Sequence, residues 1–344
     1  MSTGALGQTA RIGLFAAAAL LIAVLPRFVS DFRASELAYV AIFTIAILGL
    51  NVLTGYTGQI SLGHGAFMTI GGYTTAVLVV DHGVRDLWTI PLAGLVAGAA
   101  GFLFGVPALR LSGLYLALAT FGVAVALPAV VRKAEGLTGG SRGLQLFGLD
   151  SYTGKGFEPV EVLGRSLSFN DWLYYLSWTI AGVLFVLAWL VLRGETGRAF
   201  RALRDSEVAA ASSGVNPAAY KTLAFSLSAL YAGVAGSLYA LASTFVTPGT
   251  FPVALSLTLL IGAVVAGLGS LWGVLAGAVF VQFLPVWIDR LSGVEAAPDL
   301  VQRVSKEPGI PSVIYGAALI LLLLLLPGGV GGLVQRLGGR TSRR

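Results

Sequence analysis

Two stretches of this chain carry polar side chains in patterns able to do chemistry, and both interrupt apolar runs. The first is NVLTGYTGQISLGH, residues 51–64. Asn51, Thr54, Tyr56, Gln59, Ser61 and His64 supply hydrogen-bond donors and acceptors, and Gly55, with Gly58 and Gly63, weakens any helix running through them. A helix broken at membrane depth frees backbone N–H and C=O groups, which is a recurrent way to build a substrate site. The same composition equally suits a short turn whose polar groups simply meet water. His64 taken alone reads as a hydrogen-bonded packing residue. Ser61 and His64, three apart, are able to share a helix face, but a lone Ser–His pair is weak ground for a hydrolase.

The second stretch is GRAFRALRDSEVAAASSGVNP, residues 197–217. Arg198, Arg201, Arg204, Asp205 and Glu207 fall within ten residues of a chain that is only 11% charged. Asp205 or Ser206 is placed to cap a helix start, Ala209 to Ser213 are small, and Gly214 is a stop; the pattern predicts a short charged helix over 198–213. Asn216-Pro217 then reads as the N-cap and first residue of the next helix. Such an island is either a solvated loop or a docking surface. In the second case its charges form charge-assisted bonds to a partner's groove.

The elements that position these residues are read from hydropathy. The 344 residues are 56% hydrophobic, with mean hydropathy +0.85, against roughly 45–50% apolar for a soluble domain. Apolar runs of about 18 residues or more recur, each long enough to cross a bilayer. The expected fold is an all-α polytopic membrane protein, one transmembrane domain over 1–344. About ten helices are expected, near 12–30, 36–54, 60–80, 88–109, 111–133, 171–192, 222–246, 252–269, 271–289 and 311–327. Arg11 followed by Ile12–Leu25 has a signal-peptide outline without a clear cleavage site, and is read as an uncleaved first span. Polar segments remain at 134–170, 193–221 and 290–310. An even span count puts both termini and the island on one side. Lys and Arg tie at 11 on each side of that arrangement, and the tail RTSRR favours a cytoplasmic C-terminus.

Composition also excludes chemistry. No Asp or Glu lies in the middle of a span, which argues against proton coupling and, less sharply, against sodium coupling. The chain has no Cys and two His, so neither a thiol nucleophile nor a metal centre is expected, and no cofactor. Lys221-Thr222 is preceded by Tyr220 where a phosphate-binding loop requires Gly, so this chain does not hydrolyse ATP by that route. The formal charge of +6 lies in scattered loops; it is assigned to membrane topology, and no nucleic acid is expected as partner. Gly94-x-x-x-Gly98, Gly101-x-x-x-Gly105 and Gly269-x-x-x-Gly273-x-x-x-Gly277 predict helices in close backbone contact.

GLNVLTGYTGQISLGHGAFMTIGGYTTAVL (49–78), GLYLALATFGVAVALP (113–128), LTGGSRGL (137–144), GRAFRALRDSEVAAASSGVNPAAYKTLAFSLSALYAGVAG (197–236) and GLGSLWGVLAGA (267–278) resemble, in order, the permeases of branched-chain amino acid ABC importers. The resemblance covers nearly the whole chain. The GLYLA and LTGGSRGL segments point to the M-type subunit of this Liv importer family. It implies a multi-pass subunit in the bacterial inner membrane, with both termini cytoplasmic. The implied partners are a second permease subunit in a heterodimer, two cytoplasmic ATPases, a periplasmic binding protein and membrane lipid. Residues 197–221 match the family's ATPase-docking loop. Asn51, Thr54, Gly55, Tyr56, Gln59, Ser61 and His64 are then the expected substrate pathway, and Arg198, Arg201, Arg204, Asp205 and Glu207 the expected coupling residues. The alternative is an ATP-independent channel or facilitator for a small polar solute.

Overall fold

The computed structural model describes residues 25–27, 30–84, 86–108, 111, 113–147, 161–162, 165–292, 316 and 328–332. After a 3-10 turn at Leu25–Arg27, α1 (Asp31–Leu50) continues without a break into a π-helical segment, Asn51–Tyr56. Then come α2 (His64–Val80), α3 (Asp86–Ala108), α4 (Leu114–Lys133) and the single turn α5 (Glu135–Thr138). The second half holds α6 (Phe169–Arg193), α7 (Glu195–Asp205), α8 (Glu207–Ser212), α9 (Pro217–Ser243), α10 (Val253–Ala266) and α11 (Val274–Ser292).

Eight of these helices fall on eight of the expected spans. Five are long and apolar enough to cross a membrane: Asp31–Tyr56, Leu87–Pro107, Leu114–Lys133, Phe169–Arg193 and Pro217–Ser243. The apolar helices at 64–80, 253–266 and 274–286 are shorter. Apart from Leu25–Arg27, Ser30 and Gly316, the spans expected near 12–30 and 311–327 lie outside the described residues, as do the segment 290–310 beyond Ser292 and most of 148–164. The polar segment at 134–170 is not all irregular. It carries α5, strand β1 (Leu144–Gln145) and a small antiparallel pair, β2 (Glu161–Val162) with β3 (Arg165–Ser166). β1 pairs with β4 (Phe245–Val246) after α9, Leu144 opposite Val246, which ties the α4–α6 connection to the α9–α10 connection.

Burial sorts the bundle into an inside and an outside. The apolar stretch of α1 is 89% buried and that of α9 72%, against 28% for α4 and for α6. α9 packs on α1, α2 and α3, while α1 also packs on α6 and α11. Without a hydrophobic drive between helices in lipid, close packing must supply the contact energy, and glycine permits it. A Cβ on Gly71 of α2 would overlap the Gly233 carbonyl oxygen of α9, and one on Gly236 would overlap that of Met68. On α3, Gly94, Gly98, Gly101 and Gly105 all face α9, meeting Val234, Leu230, Ala229 and Thr222 in turn, as their spacing predicts. Inter-helix hydrogen bonds complete the seams: Thr75 with Ser237 at 2.6 Å, Ser226 to the Gly98 carbonyl at 2.9 Å, and the Tyr231 hydroxyl to the Leu184 carbonyl at 2.8 Å.

The third glycine series differs from expectation. Gly269 and Gly273 are not on a helix face, because α10 ends at Ala266 and α11 begins at Val274. Gly267 and Gly269 take φ of +91° and +79°, which turns the chain between the two helices. The close approach itself is present, since a Cβ on Gly273 would overlap the Ala266 carbonyl and one on Gly277 that of Gly262.

Candidate functional site

The polar segment at 51–64 is built by a change of helical pitch. The helix is not broken at Gly55; it widens to π geometry over Asn51–Tyr56, and the chain leaves it at Gly58, whose φ is +73°. A π-turn shifts the backbone ladder by one residue and is found mostly where a helix serves a function. Here it leaves the Gly55 carbonyl to a partner outside the helix. Gly55 is required for the close packing around it, because a Cβ there would overlap both Asn51 Oδ1 and the Gly269 nitrogen.

Asn51 is fully buried and clamps the α10–α11 turn. Its Nδ2 donates to the Ser270 carbonyl at 2.8 Å, and its Oδ1 accepts from the Gly269 N–H at 2.8 Å. One amide side chain therefore satisfies two groups of a glycine-rich turn that has no regular ladder. Thr54 donates to the Gln59 carbonyl at 3.1 Å, Thr57 to the Leu53 carbonyl at 2.6 Å, and Gln59 Nε2 to the Thr57 hydroxyl at 3.0 Å. These bonds fold the exit from the π-segment back on itself. Ser61, buried, accepts from the Gly63 N–H at 3.3 Å.

His64 is the first residue of α2, is 1% exposed, and its Nε2 has no hydrogen-bond partner. Ser61 precedes the helix, so the two do not share a helix face, and no Ser–His catalytic pair is formed. The start of α2 is held from two sides. The Leu62 N–H donates to Thr120 of α4 at 2.9 Å, and the Gly65 N–H to Ser256 of α10 at 2.9 Å. Ser256 therefore satisfies one of the free N–H groups at this helix N-terminus.

The charged island resolves into two helices rather than one over 198–213. α7 and α8 are separated at Ser206, whose extended backbone (φ −162°, ψ 115°) breaks the ladder, and whose hydroxyl caps α8 by accepting from the Ala209 N–H at 3.3 Å. Asp205 caps nothing; it pairs with Arg204 at 3.3 Å. Gly214 ends the run with φ +85°, and Asn216 caps α9 with Pro217 in its first turn, both as the sequence predicts. α7 is amphipathic and buries Gly197, Ala199, Phe200 and Leu203 against the bundle, whereas α8 is almost wholly exposed, with Val208 at 78%.

The two regions meet. Arg204 Nη1 donates to the Gly55 carbonyl at 3.1 Å, across 149 residues of sequence. Asn51, Gly55, Gly269, Ser270 and Arg204 thus form one junction of α1, α7 and the α10–α11 turn. It lies at the end of the bundle that carries the charged loop, not at mid-depth. Arg201 also turns inward, donating to the Leu192 carbonyl at 3.1 Å. Arg198 pairs with Glu195 on the surface, and Glu207 with Lys221 of α9. Of the five coupling residues, then, Arg201 and Arg204 bond to backbone carbonyls of the bundle, and Arg198, Asp205 and Glu207 pair with charged side chains of the same chain. Thr120, Ser256 and Ser270 were not singled out from sequence. Thr120 and Ser256 are each one small hydroxyl in or beside an apolar run, Ser270 takes part through its backbone carbonyl, and nothing in the spacing marks any of them as a bridge.

Among the described residues no group of His, Asp and Glu is placed to hold a metal ion. The site offers hydrogen bonds that join α1, α7 and the α10–α11 turn.

Residues 33–326 match the family described as branched-chain amino acid transport system / permease component. The chain is 38% identical over 289 residues to the high-affinity branched-chain amino acid transport system permease protein LivM of Salmonella typhimurium, covering 79% of this chain and 68% of the relative. The LivM of Escherichia coli K12 matches to the same extent. The LivH permease of Salmonella typhimurium is 24% identical over 306 residues, 84% of this chain and 91% of the relative. No solved structure matches. Most of the chain, including both polar regions, falls within the matched family range, and the chain accordingly belongs to the permease family of branched-chain amino acid ABC transport systems, as a LivM-like multi-pass transport subunit and not an enzyme.

Proposed function

We propose that this chain is the M-type half of a heterodimeric permease that carries branched-chain amino acids, or closely related small solutes, inward across the bacterial inner membrane. The second half is a LivH-like subunit, two cytoplasmic ATPases supply the energy, and a periplasmic binding protein delivers the solute. The chain acts as one transmembrane domain with about ten spans, and both termini and residues 193–221 face the cytoplasm. The similarity to both LivM and LivH supports the heterodimer.

Asn51, Thr54, Gly55, Tyr56, Gln59, Ser61 and His64 form the inner gate of the solute path. α8 seats in an ATPase groove, and α7 carries its movement to the gate. The observation that carries this reading is the Arg204–Gly55 hydrogen bond, which joins the loop to the π-segment directly. When the ATPases close and displace α7, Arg204 shifts the Gly55 carbonyl. The Asn51 clamp on Gly269 and Ser270 passes the shift to α10 and α11. Arg198, Asp205 and Glu207 remain on the surface, available to the ATPase.

The test is reconstitution. The chain, a LivH-like subunit, the ATPases and the binding protein are placed together in proteoliposomes, and leucine uptake is measured with and without ATP. Uptake that needs all components is the expected result; uptake by the purified chain alone, without ATP, would establish a facilitator instead. Because the chain has no Cys, Ser206→Cys tests the orientation: protection from an impermeant thiol reagent in intact spheroplasts is expected, and labelling would reverse it.

A further inference from the structure

Beside the junction lies an open-sided cavity of about 270 Å³ whose walls include Tyr56, Trp189, Arg193, Arg201, Ser270 and Trp272. We propose that it binds the headgroup of an anionic phospholipid. Three observations point there. The first is charge. Arg198 and Arg204 each face a carboxylate, but neither Arg193 nor Arg201 pairs with one among the described residues, and no carboxylate lines the cavity. Two permanent positive charges sharing a half-enclosed space attract a negative group, and the planar guanidinium suits a phosphate.

The second is depth. Arg193 is the last residue of α6, and its guanidinium lies over the Trp189 ring, 5.0 Å from the centroid. Trp272 packs beside Phe185 of the same helix, ring centroids 5.5 Å apart. Tryptophans flanked by arginine at a helix end mark the level of lipid headgroups. The third is continuity with an apolar face. Val183, Val186, Leu187 and Leu190, at helical spacing on the helix that ends at Arg193, are exposed, a bed for acyl chains. A soluble anion has no use for that face.

The consequence is local control of the junction. Tyr56 and Ser270 line the cavity and also belong to the π-segment and to the turn that Asn51 clamps. A bound headgroup holds Arg201 and the end of α6 in place beside the gate.

The test uses the full chain co-purified with a LivH-like subunit in detergent, exchanged into nanodiscs of phosphatidylcholine with or without phosphatidylglycerol and read by native mass spectrometry. Retention of phosphatidylglycerol over phosphatidylcholine is expected. Arg193→Gln should reduce it about fivefold, from the roughly 1 kcal/mol per basic residue near an anionic surface. Arg193→Lys and Arg198→Gln should retain it. Arg193→Gln is the primary variant because its side chain is exposed; Arg201→Gln also breaks the bond to Leu192 and serves as a second arm. Equal retention in Arg193→Gln overturns the proposal. So does equal binding of phosphatidylcholine. Competition by inorganic phosphate would make the cavity a soluble-anion site. Loss of the second permease subunit from Arg193→Gln, with lipid retention unchanged, would make it a protein interface.

Discussion

The 51–64 segment and the 194–216 loop are both polar interruptions of an apolar chain, yet they settle their polar groups in opposite ways. The first is mostly buried, and Asn51, Thr54, Thr57 and Ser61 each bond to a backbone group of this chain. The second sits on the surface. Its Arg198–Glu195 and Arg204–Asp205 pairs are exposed, with little to contribute to stability in water, and its second helix shows Val208 and Glu207 outward. A segment that answers its own polar groups fixes a geometry. A segment that leaves a face open is suited to a partner. Arg204 breaks the symmetry of this comparison, because it belongs by sequence to the open region and by hydrogen bonding to the closed one.

The largest effect is expected where the closed region is tightest. Gly55→Val places a side chain on Asn51 Oδ1 and on the Gly269 nitrogen. Overpacking of a tight core costs about 1–3 kcal/mol, and loss of the Asn51 clamp adds to it. The variant should melt at a visibly lower temperature in detergent and take up no leucine when reconstituted. Wild-type melting would mean that the segment yields more easily than its packing indicates.

Next comes the link itself. Arg204→Ala removes a hydrogen bond from a charged donor, worth roughly 1.5–3 kcal/mol, and should lower ATP-driven uptake about tenfold while the ATPases still co-purify. Arg198→Ala, which removes only a surface pair with Glu195, should change uptake less than about twofold. Equal losses from the two would show that the loop works through its charge and not through Gly55.

The outer design was legible in sequence because it rests on hydropathy. Eight spans, the Asn216-Pro217 start of α9 and the Gly214 stop follow from apolar run length and capping chemistry. The four glycines of α3 announced a close helix contact because they share a helix face, and the structure gives α9 as the partner. What sequence did not carry was any relation set by three dimensions. The π pitch at Asn51–Tyr56 has no period that marks it in one chain. The Arg204–Gly55 contact spans 149 residues. The break at Ser206 was mistaken for continuity because Arg, Leu, Ala and Glu on either side all favour helix.

A smaller effect should follow in the open region. Glu207→Lys would disturb ATPase docking, but it also breaks the pair with Lys221. Val208→Asp is cleaner, since Val208 is 78% exposed and bonds nothing through its side chain. It should weaken co-purification of the ATPases several-fold and leave the melting temperature of the permease unchanged, a surface substitution being worth within about 0.5 kcal/mol. Full ATPase retention would move the docking surface from α8 to another part of the loop.

The smallest expected effect sharpens the comparison most. Thr54 is buried and its hydroxyl donates to the Gln59 carbonyl at 3.1 Å. Thr54→Val keeps the shape nearly intact and deletes that one donor. Gln59 is half-buried, so its carbonyl has water as a substitute and the cost should stay near 1 kcal/mol. If the hydroxyl only holds the turn, uptake and melting temperature should fall together and modestly, and Gln59→Ala should impair passage more, because it removes the polar group nearest solvent. If Thr54→Val instead abolishes uptake at unchanged melting temperature, the hydroxyl touches the solute during passage. The closed region would then be a binding surface that exchanges its own backbone bonds for those of the solute, and the division between a region that fixes geometry and one that meets a partner would hold only for the resting chain.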